Sequence, residues 1–80
     1  MTTLHITYFA ALRDVTGYAE ETLTTEAVTA KALFHELTAK YCWPFSEANI
    51  LVAINDRYRP ADTSLKEGDR VVFIPPVSGG

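Results

Sequence analysis

The final six residues, Pro75-Pro76-Val77-Ser78-Gly79-Gly80, are the part of this sequence whose types and spacing are best suited to chemistry. Gly79 and Gly80 lack a Cβ, so a backbone that ends in them can pass through a channel too narrow for side chains. The unhindered terminal carboxyl group leaves room for the α-phosphate of ATP on one side and for a nucleophile on the other. Adenylation would turn this poor acyl donor into a mixed anhydride. A sulfur nucleophile could then displace AMP and leave a thiocarboxylate or a thioester.

The two prolines predict how this end is presented. Pro75 and Pro76 fix the backbone φ angle and favour an extended polyproline conformation, so the tail points away from the body at a reduced entropic cost. Residues 76–80 can span at most about 16–18 Å, which is enough to enter the active site of a partner protein. The competing interpretation is a frayed glycine terminus, or an expression remnant, with no role. The residues alone leave both interpretations open.

The body that carries this tail is predicted to be one domain, because 80 residues are too few to divide into two hydrophobic cores. Alternating or continuous apolar residues, bounded by turn-forming residues, predict its strands. A turn at Lys66-Glu67-Gly68-Asp69, with glycine available for a positive φ angle, precedes the last strand. The strands are expected at residues 4–9, 20–24, 50–55 and 70–74, with a short edge strand at 58–59.

One amphipathic helix is predicted between residues 25 and 41. Its apolar residues recur at i, i+3, i+4 and i+7 spacing, Thr29 can cap its start, and Glu36 and Lys40 can form an ion pair on the solvent side. This helix supplies the crossover that lets the first and last strands pair in parallel at the centre of a sheet.

The order of these elements predicts an α+β domain of the β-grasp (ubiquitin-like) class. We expect a mixed sheet of four to five strands, with one main helix on one face and an extended C-terminal tail. The β-grasp domain should occupy residues 1–75, and a flexible diglycine tail should occupy residues 76–80.

Charge and composition oppose several classes of function. The net charge of −3 opposes nucleic-acid binding, which requires clustered lysine and arginine. Cys42 is the only cysteine, so an intrachain disulfide is impossible, and we expect its thiol to be a small buried apolar group. The sequence has no signal-peptide pattern and no apolar stretch of membrane-spanning length. We therefore expect a cytoplasmic protein without a membrane partner, a metal site or a tightly bound cofactor.

Parts of the body and the tail together resemble a known family. Tyr8-Phe9-Ala10-Ala11-Leu12-Arg13-Asp14, followed by Gly17, is similar to the opening of the small subunit of molybdopterin synthase. Residues 52–55 and 65–71 are similar to the second half of that subunit, with matching spacing. The terminal Pro-Pro-Val-Ser-Gly-Gly is the most specific part of the resemblance, which covers nearly the whole chain and is weakest between residues 20 and 49.

This resemblance implies a sulfur carrier that works through Gly79 and Gly80. In the family, an ATP-dependent adenylyltransferase similar to ubiquitin-activating enzymes consumes ATP to activate the terminal glycine, here Gly80, and sulfur is then installed as a thiocarboxylate. The loaded tail enters the large synthase subunit and donates sulfur to precursor Z (cyclic pyranopterin monophosphate), forming the dithiolene of molybdopterin. The large subunit holds the catalytic pocket, and two copies of each subunit form a heterotetramer.

The resemblance also implies a docking surface for the large subunit. In the family, a hydrophobic patch occupies the positions that match Phe9, Tyr58 and Ile74. The residues independently indicate a covered sheet face, because the final strand is apolar on both sides and one helix covers only one of them. We therefore expect partner contacts at Phe9, Tyr58 and Ile74, with Arg13 at the rim and Pro75, Pro76, Val77 and Ser78 along the tail.

Other functions fit the same features. The chain could be a sulfur carrier for another pathway, such as thiamine thiazole synthesis, or a ubiquitin-like protein modifier. Relatives of both kinds share the diglycine end but typically lack Pro-Pro-Val-Ser before it. A third alternative, from a different class, is a non-catalytic β-grasp interaction module whose tail is passive.

Overall fold

The computed structural model describes residues 1–9, 11–43 and 50–74, and these residues contain five strands and two helices. The predicted strands and main helix are all present, with different bounds. The first strand begins at Thr2 instead of residue 4, the main helix at Ala30 within the predicted range 25–41, and the short edge strand at Arg57 instead of residue 58. The predicted boundary at residue 75 and the tail beyond it lie outside the described residues. The elements are β1 (Thr2–Tyr8), α1 (Ala11–Thr16), β2 (Glu20–Thr25), α2 (Ala30–Tyr41), β3 (Leu51–Ile54), β4 (Arg57–Tyr58) and β5 (Arg70–Ile74).

The first and last strands form a parallel pair at the centre of the sheet. The strand order is β2-β1-β5-β3-β4, with β1 parallel to β5 and the other neighbouring strands antiparallel. Parallel strands need a long crossover connection, and α2, which follows β2 in the chain, packs on one face of the sheet. This arrangement confirms the predicted β-grasp fold.

Alternation along the strands gives the sheet one buried face and one open face. Every second residue of β1 and β5 is turned toward α2, because successive side chains of a strand point to opposite sides. The Phe34 ring of α2 lies 5.8 Å from the Phe73 ring of β5, measured between ring centroids. Full burial of a Leu, Ile, Val or Phe side chain stabilises a fold by about 1.5–3 kcal/mol. The core includes Leu4, Ile6, Tyr8, Leu33, Phe34, Leu37, Val71 and Phe73.

Both ends of α2 are held by local hydrogen bonds. The Thr29 side chain accepts from the Ala32 N–H at 3.1 Å, which confirms the predicted N-cap. After Tyr41 the chain turns through Cys42 in the left-handed conformation, with φ at 56°. Cys42 is exposed, so the expectation of a buried thiol is wrong. The left-handed turn takes Cys42 off the apolar stripe of the helix, and Trp43 is buried instead.

The predicted ion pair between Glu36 and Lys40 is also wrong. Lys40 pairs with Glu21 on β2 at 3.3 Å, and Glu36 accepts a hydrogen bond from the Thr25 hydroxyl. Helical spacing would allow the local pair, but β2 brings closer partners to both side chains. The two contacts tie α2 to the outer strand of the sheet.

Candidate functional site

The face of the sheet opposite α2 carries a continuous row of apolar side chains. Ile74 of β5 pairs directly with Leu51 of β3, and Val72 pairs with Ala53. Ala53 pairs in turn with Tyr58 of β4. Directly opposed residues of neighbouring strands point to the same side of a sheet, so these residues share one face. Together with Phe9 we call them the apolar strip: Phe9, Leu51, Ala53, Tyr58, Val72 and Ile74.

The three residues expected to form a docking patch all belong to this strip. Phe9 follows β1 directly and is 48% exposed, and Tyr58 on the edge strand is 71% exposed. Ile74 is partly buried at the end of β5. Phe9 and Ile74 lie at the same end of the sheet, because Tyr8 pairs with Phe73 in the parallel register. The structure therefore places the three side chains on one open surface.

The backbone at Phe9 is held by the short helix that follows it. The Leu12 N–H donates to the Phe9 carbonyl at 2.9 Å, and Leu12 itself is fully buried in the core. Arg13 lies next to this anchor and is exposed. The helix ends at Gly17, whose φ of +83° allows the chain to turn back into β2. Arg13 is thus carried by the same element that fixes Phe9.

Leu51, Ala53 and Val72 are strip residues that were not among the expected docking residues, and the most exposed of the three is Leu51. It is 57% exposed, more than Phe9, although it belongs to a nearly continuous apolar run. The buried residues of β3 are Val52 and Ile54, so alternation turns Leu51 and Ala53 to the open face. The sequence indicates only that two of residues 51–54 face away from the helix, because all four are apolar and a strand turns alternate residues to opposite sides. It does not indicate which two.

The strip covers only the half of the open face that is nearer the end of β5. At the other end, His5 pairs with Arg70 on one side and with Thr22 on the other. The Arg70 guanidinium donates to the Asp56 carboxylate at 2.8 Å. The open face is therefore divided into an apolar half beside Ile74 and a polar half beside Arg70.

The expected reacting residues, Gly79 and Gly80, lie outside the described residues, as do Pro75, Pro76, Val77 and Ser78. The last described residue before them is Ile74, at the end of the central strand β5 and within the apolar strip. A partner that covers the strip therefore meets the start of the tail.

A cluster of ionisable groups lies on the opposite, helix-covered side. Glu21 of β2 accepts a hydrogen bond from the Tyr8 hydroxyl at 2.6 Å. The Tyr41 hydroxyl donates to both Glu21 carboxylate oxygens, at 2.9 and 3.0 Å, and Lys40 donates to one of them at 3.3 Å. These bonds join β1, β2 and the C-terminal turn of α2 through one carboxylate.

The electrostatics of this cluster follow from burial and hydrogen bonding. Burial is the largest influence on Glu21 and by itself raises the pKa, but hydrogen bonds from Tyr8, Tyr41 and Lys40 and the charge of Lys40 outweigh it and lower the pKa. Burial, followed by the hydrogen bond to Glu21, raises the pKa of Tyr8 far above its usual range. The groups are thus held as a carboxylate and a neutral phenol, which is a structural arrangement rather than a proton-transfer pair.

The described ranges contain neither a candidate metal-binding cluster nor a membrane-spanning helix. Residues 1–9, 11–43 and 50–74 contain no group of three or more His, Cys, Asp or Glu side chains placed to hold a metal ion. Neither helix within those ranges is long and apolar enough to cross a membrane.

Comparison with known proteins gives matches that extend over nearly the whole chain. The sequence profile of the ThiS family matches residues 6–80. The molybdopterin synthase sulfur carrier subunit of Haemophilus influenzae is 32% identical to this chain over 80 residues, covering 96% of this chain and 99% of that protein.

Solved structures share the fold over a similar extent. A Pyrococcus furiosus protein, described as subunit 1 of a molybdopterin converting factor, superposes with a TM-score of 0.80 at 30% identity, covering 96% of this chain and all of that one. Small archaeal modifier protein 1 of Methanosarcina acetivorans superposes with a TM-score of 0.76 at 27% identity, covering all of this chain and 98% of that one.

Proposed function

Because this chain belongs to the ThiS family, we propose that it is the sulfur carrier subunit of a molybdopterin synthase, loaded with sulfur at Gly80. Its relative from Haemophilus influenzae bears that description. The observation that carries the proposal is the position of the apolar strip, because the strip includes Ile74, the last described residue before the tail. A surface that docks a partner at that place delivers the tail to the same partner.

The proposed chemistry takes place at the carboxyl carbon of Gly80. A carboxylate oxygen attacks the α-phosphorus of ATP in a separate adenylyltransferase, and pyrophosphate leaves. A nucleophile at the oxidation level of sulfide, such as hydrosulfide, then attacks the acyl carbon and AMP leaves with the bridging oxygen, so that a thiocarboxylate remains. This product is ionised near neutral pH and is a better nucleophile than the carboxylate, which suits it to attack the carbon of a sulfur acceptor. We expect the ATP-dependent step to occur in the cytoplasm.

The described domain contributes docking and presentation rather than bond making. Exposed apolar clusters mark interaction sites, because their burial against a partner removes apolar surface from water. We propose that the apolar strip binds the large synthase subunit and that Gly79 and Gly80 enter its catalytic pocket, where sulfur passes to precursor Z. Two carriers and two large subunits would make the complete heterotetramer.

A pyrophosphate exchange assay tests the activation step. The cognate adenylyltransferase should incorporate labelled pyrophosphate into ATP only when the carrier is present, because exchange reports reversible formation of the acyl adenylate. A carrier that lacks Gly80 should support none. Exchange that is equally fast with that variant would contradict activation at Gly80.

A ubiquitin-like modifier is the second candidate, favoured by the similarity to the archaeal modifier protein. In that case a lysine amine of a target, instead of a sulfur nucleophile, would attack the activated Gly80 and release AMP. The two functions differ in their products. A modifier gives covalent conjugates that survive thiol reductants, whereas a carrier gives free protein that ends in a thiocarboxylate.

A further inference from the structure

A cleft at the end of the sheet remote from the tail is lined by three cationic side chains. It has a volume of about 280 Å³ and lies between the β3–β4 hairpin and the loop that leads into β5. Arg57, Arg59 and Lys66 line it together with Thr63 and Ser64. We propose that this cleft binds a phosphate-bearing ligand, in the form of a phosphoester or a diphosphate group.

The charge of the cleft is unbalanced. Within the described residues, Arg70 is paired with Asp56 and Lys40 with Glu21, but Arg57, Arg59 and Lys66 make no ion pair. This is notable in a chain whose net charge is −3. Three like charges around one concave surface repel one another, and an anion placed between them relieves that repulsion.

One carboxylate, that of Asp69, also lines the cleft. Its two oxygens are already engaged, since one accepts from the Asn55 amide at 3.0 Å and the other from the Lys66 backbone N–H at 2.8 Å. It closes the turn before β5 and offsets one of the three positive charges. The cleft therefore keeps an excess of positive charge, and its cationic head groups remain available to a ligand.

The backbone of the cleft is fixed before any ligand arrives. Arg57 is paired with Ile54 across the hairpin, and the Arg59 N–H donates to the Val52 carbonyl at 3.0 Å. Both arginines leave β4 on the side away from Tyr58, because alternate residues of a strand share a face. The cationic side chains thus start from ordered positions, which reduces the entropic cost of binding.

The loop on the other side of the cleft is anchored just as firmly. The Thr63 carbonyl accepts from the Ala30 N–H at 3.2 Å, and Ser64 forms a bridge with Thr29. The Lys66 carbonyl accepts from the Asp69 N–H at 3.0 Å. These contacts fix the loop against the start of α2 and the turn before β5.

The lining identifies the chemical class of the ligand. Guanidinium groups match the oxygens of phosphate bidentately, and hydroxyl groups add neutral donors. A concave site rich in donors suits a compact polyanion better than the flat acidic surface of a protein. The cleft lies near Asp69 and Arg70, at the opposite end of β5 from Ile74, which belongs to the apolar strip and is the last described residue before the tail. Ligand binding in the cleft is therefore compatible with sulfur loading.

Titration of the full chain with inorganic pyrophosphate, followed by amide NMR at constant ionic strength, tests the proposal. Saturable shifts should appear at residues 54–59 and 63–69 and be absent from the strip residues at the other end of the sheet, Phe9, Leu51, Val72 and Ile74. The double variant R57Q/R59Q should bind at least about ten-fold more weakly, whereas the control R13Q, an exposed arginine on α1, should bind as the wild type does.

Each other outcome overturns the assignment. If R57Q/R59Q and the wild type bound pyrophosphate with equal affinity, the two arginines would not be part of the binding site. If chloride alone produced the same amide shifts, they would reflect general screening of charge by salt and not binding of a phosphate group. Binding of a glutamate-rich peptide at the same residues more tightly than pyrophosphate would make the cleft a protein-docking site instead. None of these results bears on the sulfur carrier proposal, because the assay involves no activation of Gly80.

Discussion

Leu51 and Ile74 are directly paired across β3 and β5, so their side chains lie next to each other on the open face of the sheet. Ile74 is the last described residue before the tail, and Leu51 is 57% exposed. The pair therefore places exposed apolar surface immediately beside the start of the reactive segment. This relationship links the fold to the proposed function, because burying the pair in a partner also positions the tail.

Replacement of Leu51 by arginine should weaken binding of the large synthase subunit at least about ten-fold, because the change buries a charge in an apolar contact. The side chain is exposed in the free chain, so the free energy of unfolding should change by less than about 0.5 kcal/mol. Isothermal titration calorimetry and chemical denaturation measure the two quantities. Aspartate at Phe9, Tyr58 or Ile74 should weaken the same complex.

The matched control for this prediction is Thr22→Arg, which adds the same charge to the polar half of the same face. It should leave the affinity for the large subunit unchanged. If Leu51→Arg and Thr22→Arg weaken the complex equally, or neither does, the apolar strip is not the docking surface.

Replacement of Glu21 by glutamine should lower the free energy of unfolding by about 1–3 kcal/mol, because the carboxylate accepts hydrogen bonds from Tyr8, Tyr41 and Lys40. Glu20→Gln is the natural control, since the Glu20 side chain is exposed on the other face of the sheet. This substitution should change the free energy of unfolding by less than about 0.5 kcal/mol. Urea denaturation of both variants measures the difference. Equal stabilities would show that the cluster does not hold α2 to the sheet.

The same carboxylate makes stability depend on pH. The folded-state pKa of Glu21 lies below the ordinary value of 4.5, because hydrogen bonds to the carboxylate outweigh the opposing effect of burial. Its contribution should be fully present above that value and be lost as the pH falls through the lower folded-state pKa. The stability advantage of the wild type over Glu21→Gln should therefore shrink as the pH falls from neutral to below the ordinary pKa of 4.5. An advantage that stays constant over this range would contradict the assignment.

Replacement of Cys42 by glycine should raise the free energy of unfolding by up to about 1 kcal/mol, because Cys42 has a left-handed backbone that glycine adopts without a steric cost. Its side chain is exposed, so little packing is lost. Ala39→Gly, at an exposed position inside α2, should have the opposite sign and cost about 0.5–1 kcal/mol. Thermal denaturation of the two variants distinguishes relief of backbone strain at position 42 from a general effect of introducing glycine.

The fold was predictable because its signals are local. The helix follows from apolar spacing and the Thr29 cap, and the parallel central pair follows from the order of the elements. The partners of Glu21 were not predictable, since Tyr8, Tyr41 and Lys40 come from distant segments and meet it only once the strand register is set. Leu51 was missed for a different reason, because a continuous apolar run does not reveal which residues face the helix. The exposure of Cys42 depended on one left-handed turn that the sequence does not mark.

Intact mass measurement of the carrier after incubation with ATP, the cognate adenylyltransferase and a sulfur donor tests the central claim most directly. The account predicts a gain equal to the mass difference between one sulfur atom and one oxygen atom, located at Gly80 by fragmentation. A variant that lacks Gly80 should fold normally and show no gain. An unchanged mass of the full chain, in the presence of an enzyme proven active on another carrier, would contradict the sulfur carrier function.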